Sequence, residues 1–424
     1  MIGILFIVAS CSKSHLDIAP PMVEIENNEA SVYININASG EWRLQKDESS
    51  WLSASPLQGT GDTEVMINIE SNFKKESREA ILKIELKDGS LVKEVKVVQQ
   101  GNPMADMMYQ DDQWILVSTG KNDKSPKIVF MGDGYIESDH IFGGQFDKDL
   151  DKAIEVFFSL EPFLSLKEYF TVYKYANYSK ERGISEPHKG INKNTVYGVY
   201  FNDDHTTEIN NDAEVFKCVR NIPGISASDY KNVTVNITAN INRYGGRCFM
   251  QYDDPNIGIA AKDENYYEYL VIHESGGHAF GLLADEYESY TTFITDQERT
   301  NWYYYSGTPG MFRNVSMHDN PDLVSWKQLL GKSGYESTGI FEGGYYYKYG
   351  VWRSSDDSVM RGFNLAFNAY GRYLIYERTM SLSGETSSWD DFFVRDVATK
   401  AGQKDLPYKI PPVPLPPPVV EEIP

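Results

Sequence analysis

Residues 273–287 read HESGGHAFGLLADEY. Two histidines and a glutamate in this order have a mechanical meaning on a helix. Two imidazoles one turn apart can clamp a zinc ion, and a glutamate beside the first faces the water that such an ion activates. The spacing here is one residue too long for a regular helix. Each residue of an α-helix turns by about 100°, so positions i and i+4 lie about 40° apart, whereas i and i+5 lie about 140° apart. His273 and His278 are an i, i+5 pair. A π-type turn, closed by an i→i+5 hydrogen bond, absorbs one residue and returns such a pair to one face. Gly276 and Gly277 fall where that distortion is needed, and glycine lowers its steric cost. The stretch therefore predicts a helix over 265–284 with a wide turn near Gly276-Gly277.

Downstream, Gly281 permits a sharp turn out of the helix before Asp285-Glu286-Tyr287. A carboxylate after such a turn is a natural third ligand, leaving the fourth position of a tetrahedral ion for water. Glu274 then takes the proton of that water, and the hydroxide attacks a carbonyl. The plainer reading is a pair of core histidines satisfied by internal hydrogen bonds. Only seven histidines occur in the chain, and two of them stand here beside a glutamate, which favours the metal site.

Working outward, KIVFMGDGY (127–135) is an apolar strand ending in Gly-Asp-Gly-Tyr, and FDKDLDKAIEVFFSLEPF (146–163) carries apolar residues at helical spacing with acidic residues early. EYFTVYKYANY and NTVYGVYF read as further strands, so the order predicts an α/β layer with a partly parallel sheet. Residues 20–101 differ: SVYININAS, EVMINIES, AILKIELKDG and LVKEVKVVQQ alternate apolar and polar residues, separated by turn signals such as Asp88-Gly89. That is the pattern of a small β-sandwich. The end, KIPPVPLPPPVVEEIP, reads as an extended, solvent-exposed, proline-rich tail.

The first residues, MIGILFIVASC, form an apolar run ending in small residues and a cysteine. They resemble a bacterial lipoprotein signal with Val8-Ala9-Ser10-Cys11 as the lipobox, which implies export and a lipid anchor on Cys11 at the outer membrane or cell surface. Cys218 and Cys248 remain, either paired or as two buried thiols. The net charge of -21 argues against nucleic acid as a partner.

Several separate pieces of the chain resemble the IgA-peptidase family of zinc metallo-endopeptidases, from about residue 127 to 380. They are Gly132-Asp133-Gly134-Tyr135, Arg243-Tyr244-Gly245-Gly246, and His273-Glu274…His278 with the trailer Leu283-Ala284-Asp285-Glu286-Tyr287. The resemblance implies an α/β, zincin-like catalytic domain with one zinc, His273 and His278 as ligands and Glu274 as base. The third ligand is then Asp285, with Glu286 as the alternative. The family's usual form is H-E-x-G-H, so the extra glycine is a departure; a six-residue H-E-x-x-x-H motif binds metal in dipeptidyl-peptidase-III-like enzymes. Asp357-Ser358-Val359-Met360-Arg361 looks like the methionine turn of metzincin-like proteases, with Met360 as an apolar floor. Tyr345, Tyr346, Tyr347 and Arg353 are candidates for oxyanion or substrate contacts. Asp133 and Tyr135 either line the cleft or end a strand, the structural role being preferred.

Trp42, Trp51-Leu52, Pro56, Gly59, Arg78 and the closing Val97-Val98-Gln99-Gln100-Gly101 resemble a BACON domain, an immunoglobulin-like module of exported enzymes. Such modules have been proposed to bind glycans or mucin; the plainer role, a spacer, is preferred. The expected organisation is multidomain. It runs from a lipoprotein signal and linker (1–19) through an all-β Ig-like sandwich (20–101) and a metallopeptidase region (102–405) to the proline-rich tail (406–424). The metallopeptidase region has a β-rich lead-in over 102–126 and a catalytic part over 127–400. The expected function is a surface-anchored zinc endopeptidase acting on extracellular proteins or glycoproteins. The contrasting reading is a glycan- or mucin-adhesion lipoprotein whose peptidase domain is inactive. Glu274 argues against it, because binding alone needs no general base.

Overall fold

A computed structural model of the chain describes residues 14–203, 205–307, 310–362, 365–398 and 411–421. Cys11 and its preceding apolar run lie outside the described residues. The chain divides into two compact units, residues 1–110 and 111–424.

In the first unit, a four-stranded sheet runs in the order Leu16–Ala19, Ala30–Ala38, Thr63–Ile69, Leu52–Ser55. A five-stranded sheet runs in the order Met22–Ile25, Val92–Gln99, Arg78–Leu86, Glu41–Lys46, Gln58–Thr60. Alternate residues of both, among them Ile34, Ile36, Ile67, Leu82, Ile84 and Val95, enter one shared core. The period-two pattern thus becomes a sandwich because each sheet has a single apolar face to bury. Leu16–Ala19, expected to be linker, pairs with Asn35–Ala38, so the sandwich starts earlier than the alternation suggests. Trp42 is fully buried and donates through Nε1 to the Gly61 carbonyl at 3.1 Å. Trp51 is capped by the Arg78 guanidinium, 4.4 Å from the ring. Trp42 is therefore committed to the core, while Trp51 is half-buried with Arg78 over its ring.

The second unit is built on a seven-stranded sheet. Its strands are β1 (Gln113–Ser118), β2 (Lys127–Asp133), β3 (Thr171–Ala176), β4 (Thr234–Ala239), β5 (Gly246–Met250), β6 (Asn256–Ala261) and β7 (Val419–Val420). Their order is β1-β3-β2-β4-β6-β5-β7. The central four, β3, β2, β4 and β6, are parallel, while β1 and β5 run antiparallel to their inner neighbours. The lead-in segment expected before residue 127 thus supplies one edge strand. The central strands are buried along their whole length, as an apolar run covered on both faces requires.

On one face, Val129, Val235, Ile237, Ile257 and Ile259 pack with the helix Asp212–Arg220. The opposite face takes the helix Gln145–Phe157 and the helical segment from Tyr267 to Phe280. Residues of alternate parity, such as Asn236 and Gly258, meet that second segment at Ser275. The α/β layering expected from the strand–helix–strand order is present. Cys218 and Cys248 are separate buried thiols. Asp133 is fully buried and accepts from the Val199 and Tyr197 amides and the Thr195 hydroxyl, so it closes the end of β2. Tyr135 likewise donates to Asp149 at 2.8 Å; both have structural roles. Among the described residues no helix is long and apolar enough to cross a membrane.

Candidate metal centre

The site helix begins as an α-helix at Tyr267–Leu270 and continues as a π-helix over Val271–Phe280. The wide geometry spans ten residues, a longer run than the single turn expected at Gly276-Gly277. Its hydrogen bonds join residues five apart, so positions i and i+5 come to lie about one turn apart. His273 and His278 consequently face one another, with ring centroids 4.8 Å apart.

The exit from the helix differs from expectation in detail. Gly281 keeps a right-handed φ of -72, and the left-handed residue is Leu282 at φ 54. A non-glycine residue in that region is uncommon and points to a constrained turn. Glycine is needed at 281 for space: a Cβ there would stand 2.7 Å from the Gly277 carbonyl oxygen. The turn delivers the Leu283 carbonyl to His278, whose Nδ1 donates to it at 2.7 Å. In the same way His273 Nδ1 donates to the Val359 carbonyl at 3.1 Å. With Nδ1 of each ring occupied by a backbone acceptor, the lone pair of each sits on Nε2.

Both Nε2 atoms converge on Asp285 Oδ1, at 2.9 Å from His273 and 3.4 Å from His278. All three residues are buried, and these three atoms have no hydrogen-bond partner among the described residues. Three donors about 2.1 Å from a tetrahedral ion stand about 3.4 Å from one another, so the cluster has the span of a metal site. His273, His278 and Asp285 form the group able to hold a metal ion among the described residues. The second oxygen of Asp285 accepts from the Tyr346 hydroxyl at 2.6 Å. Burial tends to raise the Asp285 pKa, but a proton on the Nε2 of His278 or His273 outweighs it and holds the carboxyl below its ordinary range.

Glu286 points elsewhere. It accepts from Asn314, Asn368 and Ser358 in a buried network. Of the two acidic candidates, Asp285 stands at the cluster and Glu286 braces the loop behind it. Glu274 lies on the same helix with both carboxylate oxygens buried and unpaired among the described residues. Burial pushes its pKa up to about 8, against the pull of His273. Gly246, the first residue of β5, lies against it: a Cβ there would come within 3.1 Å of Glu274 Cγ. The Arg-Tyr-Gly-Gly stretch thus lets β5 start against the Glu274 side chain.

Met360 is buried against the opposite side of the helix, where a Cβ on Gly277 would meet its sulfur at 2.2 Å. Its neighbour Val359 supplies the carbonyl that orients His273. Four residues weighed for contacts with a developing oxyanion have other occupations. Tyr346 is tied to Asp285, and Arg353 is buried among the Glu342 and Gly343 carbonyls and Asp356. Tyr345 packs on Phe312, and Tyr347 on Tyr290. Tyr345 and Tyr346 adopt left-handed φ values of 50 and 72, a kink that turns the Tyr346 hydroxyl onto Asp285. The tyrosine that sequence reasoning passed over is Tyr287. Its hydroxyl donates to the Leu415 carbonyl, and its ring lies 5.6 Å from that of Tyr346. Its position directly after the Asp-Glu pair was the available signal.

A mixed α/β layer thus carries a buried His-His-Asp cluster that could hold a metal ion, on the same helix as a glutamate without a protein partner among the described residues. A family model described as IgA Peptidase M64 matches residues 115–335, and the chain belongs to this family of peptidases. A second model, described as Viral BACON domain, matches residues 15–102. No curated protein matches the chain. Among solved structures, the WR4 protein, a C. elegans MSP family member, is 13% identical with a TM-score of 0.18, covering 20% of this chain and 99% of that one. A protein from Bacteroides thetaiotaomicron is 14% identical with a TM-score of 0.17, covering 23% and 97%. The Bacteroides ovatus GH5 xyloglucanase is 11% identical with a TM-score of 0.20, covering 63% and 61%. These scores are too low to carry an argument about fold or function.

Proposed function

We propose that the chain is a zinc-dependent endopeptidase with a zincin-like catalytic domain, exported and anchored through Cys11, that hydrolyses peptide bonds of extracellular proteins or glycoproteins. The observation that carries this reading is the convergence of three bare, buried ligand atoms on one point beside Glu274. Two imidazole nitrogens and one carboxylate oxygen form a donor set suited to zinc. His273 Nε2, His278 Nε2 and Asp285 Oδ1 would hold the ion. A bound zinc ion supplies Lewis acidity, polarising a carbonyl oxygen and making water more acidic.

The remaining work belongs to the chain. The Val359 and Leu283 carbonyls fix the two imidazoles, and Tyr346 fixes Asp285, so the ligands are held in place before any ion binds. Glu274 takes a proton from the attacking water. As the carbonyl carbon gains the water oxygen and the C–N bond breaks, it returns that proton to the leaving amine nitrogen. Tyr287 already holds a peptide carbonyl and is the side chain suited to holding that of a substrate. The N-terminal sandwich serves as a spacer between anchor and catalytic unit, with Trp42 buried in its core and Trp51 covered by Arg78.

Incubation with a phenanthroline chelator followed by dialysis should abolish cleavage of a peptide library, and stoichiometric zinc should restore it. Cleavage that persists in the metal-free protein would refute the reading.

A further inference from the structure

Residues 411–421, the described part of the proline-rich tail, lie against the second unit's sheet. Val419 and Val420 of β7 pair in parallel with Phe249 and Met250 on β5, the strand that starts against Glu274. The Glu421 amide donates to the Met250 carbonyl at 2.9 Å, closing the pairing. Upstream of this short ladder, the tail is held by its carbonyls. Tyr244 donates to the Val413 carbonyl at 2.8 Å, Tyr287 to that of Leu415, and Arg247 Nε to that of Pro417 at 3.1 Å. The held residues are i, i+2 and i+4, the period at which an extended chain turns successive carbonyls to the same side. Five of the residues from 411 to 417 are prolines and offer no N–H to a ladder. Side-chain donors therefore take the place of ladder bonds along this stretch. Leu415 is 3% exposed, buried at the position where Tyr287 reaches it. Residues 411–414 also cover a cavity of about 280 Å³ lined by Tyr269, Tyr287 and Arg361.

We infer that the peptide-binding groove of this site runs along β5 and that the chain's own residues 411–421 occupy it as a built-in competitor. The inference rests on the peptidase reading for its consequence but not for its geometry. The groove accepts an extended segment by its alternate carbonyls, a mode that reads backbone and tolerates proline. A tethered segment acts at an effective concentration on the order of millimolar, so a tail with an intrinsic Kd of about 100 µM would leave about a tenth of the molecules open. Removing it should raise kcat/KM about tenfold.

The test compares the full chain, a chain ending at residue 410, and the full-length variant Leu415→Glu, which places a charge in the buried position without removing the tail. Each is assayed for metal content, melting temperature and cleavage of a fluorogenic peptide library. A labelled peptide of residues 411–421 is titrated into the shortened and full chains. The expected result is about tenfold faster cleavage by both variants at unchanged metal content. The peptide should bind the shortened chain, inhibit it competitively and fail to bind the full one. Equal cleavage by all three proteins overturns the inference, and so does absence of peptide binding to a folded shortened chain. Loss of metal or of folding in both variants also overturns it, because the tail is then a structural strand. If no protein cleaves but the peptide still binds only the shortened chain, the groove and its occupant stand and the peptidase reading fails.

Discussion

Glu274→Gln should lose peptide-bond hydrolysis while keeping its metal. The amide has the shape of the carboxylate and fits the same space against Gly246, so the helix and its ligands are undisturbed. What it lacks is the ability to take a proton. General acid–base catalysis contributes about 10²–10⁴-fold, and the loss of turnover should be at least that large. Both oxygens of Glu274 are without protein partners among the described residues, so no hydrogen-bond network is broken by the change. Steady-state cleavage of a peptide library, with metal content measured on the same preparation, checks the prediction. Undiminished cleavage would remove Glu274 from its role.

The neighbouring acids Asp285 and Glu286 should respond in opposite ways. Asp285→Ala removes the one anion of the cluster and leaves two imidazoles and the Tyr346 hydroxyl around a void. Metal should be lost on dialysis and activity should fall to background, with little change in fold. Glu286→Gln should instead retain metal and lose stability. The carboxylate accepts four hydrogen bonds from Asn314, Asn368 and Ser358, and an amide donor placed there confronts the Asn368 amide. A buried polar group left unsatisfied costs about 1–3 kcal/mol. Elemental analysis and thermal unfolding of the two variants separate the roles.

The elements that could be read from sequence are those whose signal is local. The alternating strands of the first unit, the apolar run of β2 and the i, i+5 histidine pair each carry their cause within a few residues. The wide helical turn followed from counting degrees per residue, although its extent over ten residues did not, since propagation depends on packing against β5 and β6. Asp285 and Glu286 are adjacent and chemically alike, and only the distant partners Asn314, Ser358 and Asn368 tell them apart. The run Tyr345-Tyr346-Tyr347 offered no internal ground for choice; the left-handed kink at its start selects Tyr346 for Asp285. Gly281 marks a sharp turn in the sequence, but its requirement there is lateral space, and Leu282 carries the left-handed backbone. The tail looked exposed because prolines cannot form a regular ladder. Its docking depends on side-chain donors from residues more than a hundred positions away.

The central claim is that His273, His278 and Asp285 hold one zinc ion across the widened helix. Anomalous diffraction at the zinc edge, on crystals of the full chain grown without added metal, tests it most directly. The account predicts a single strong peak about 2.0–2.2 Å from His273 Nε2, His278 Nε2 and an Asp285 oxygen. A site with no peak, or a peak ligated by Glu286 in place of Asp285, would contradict it.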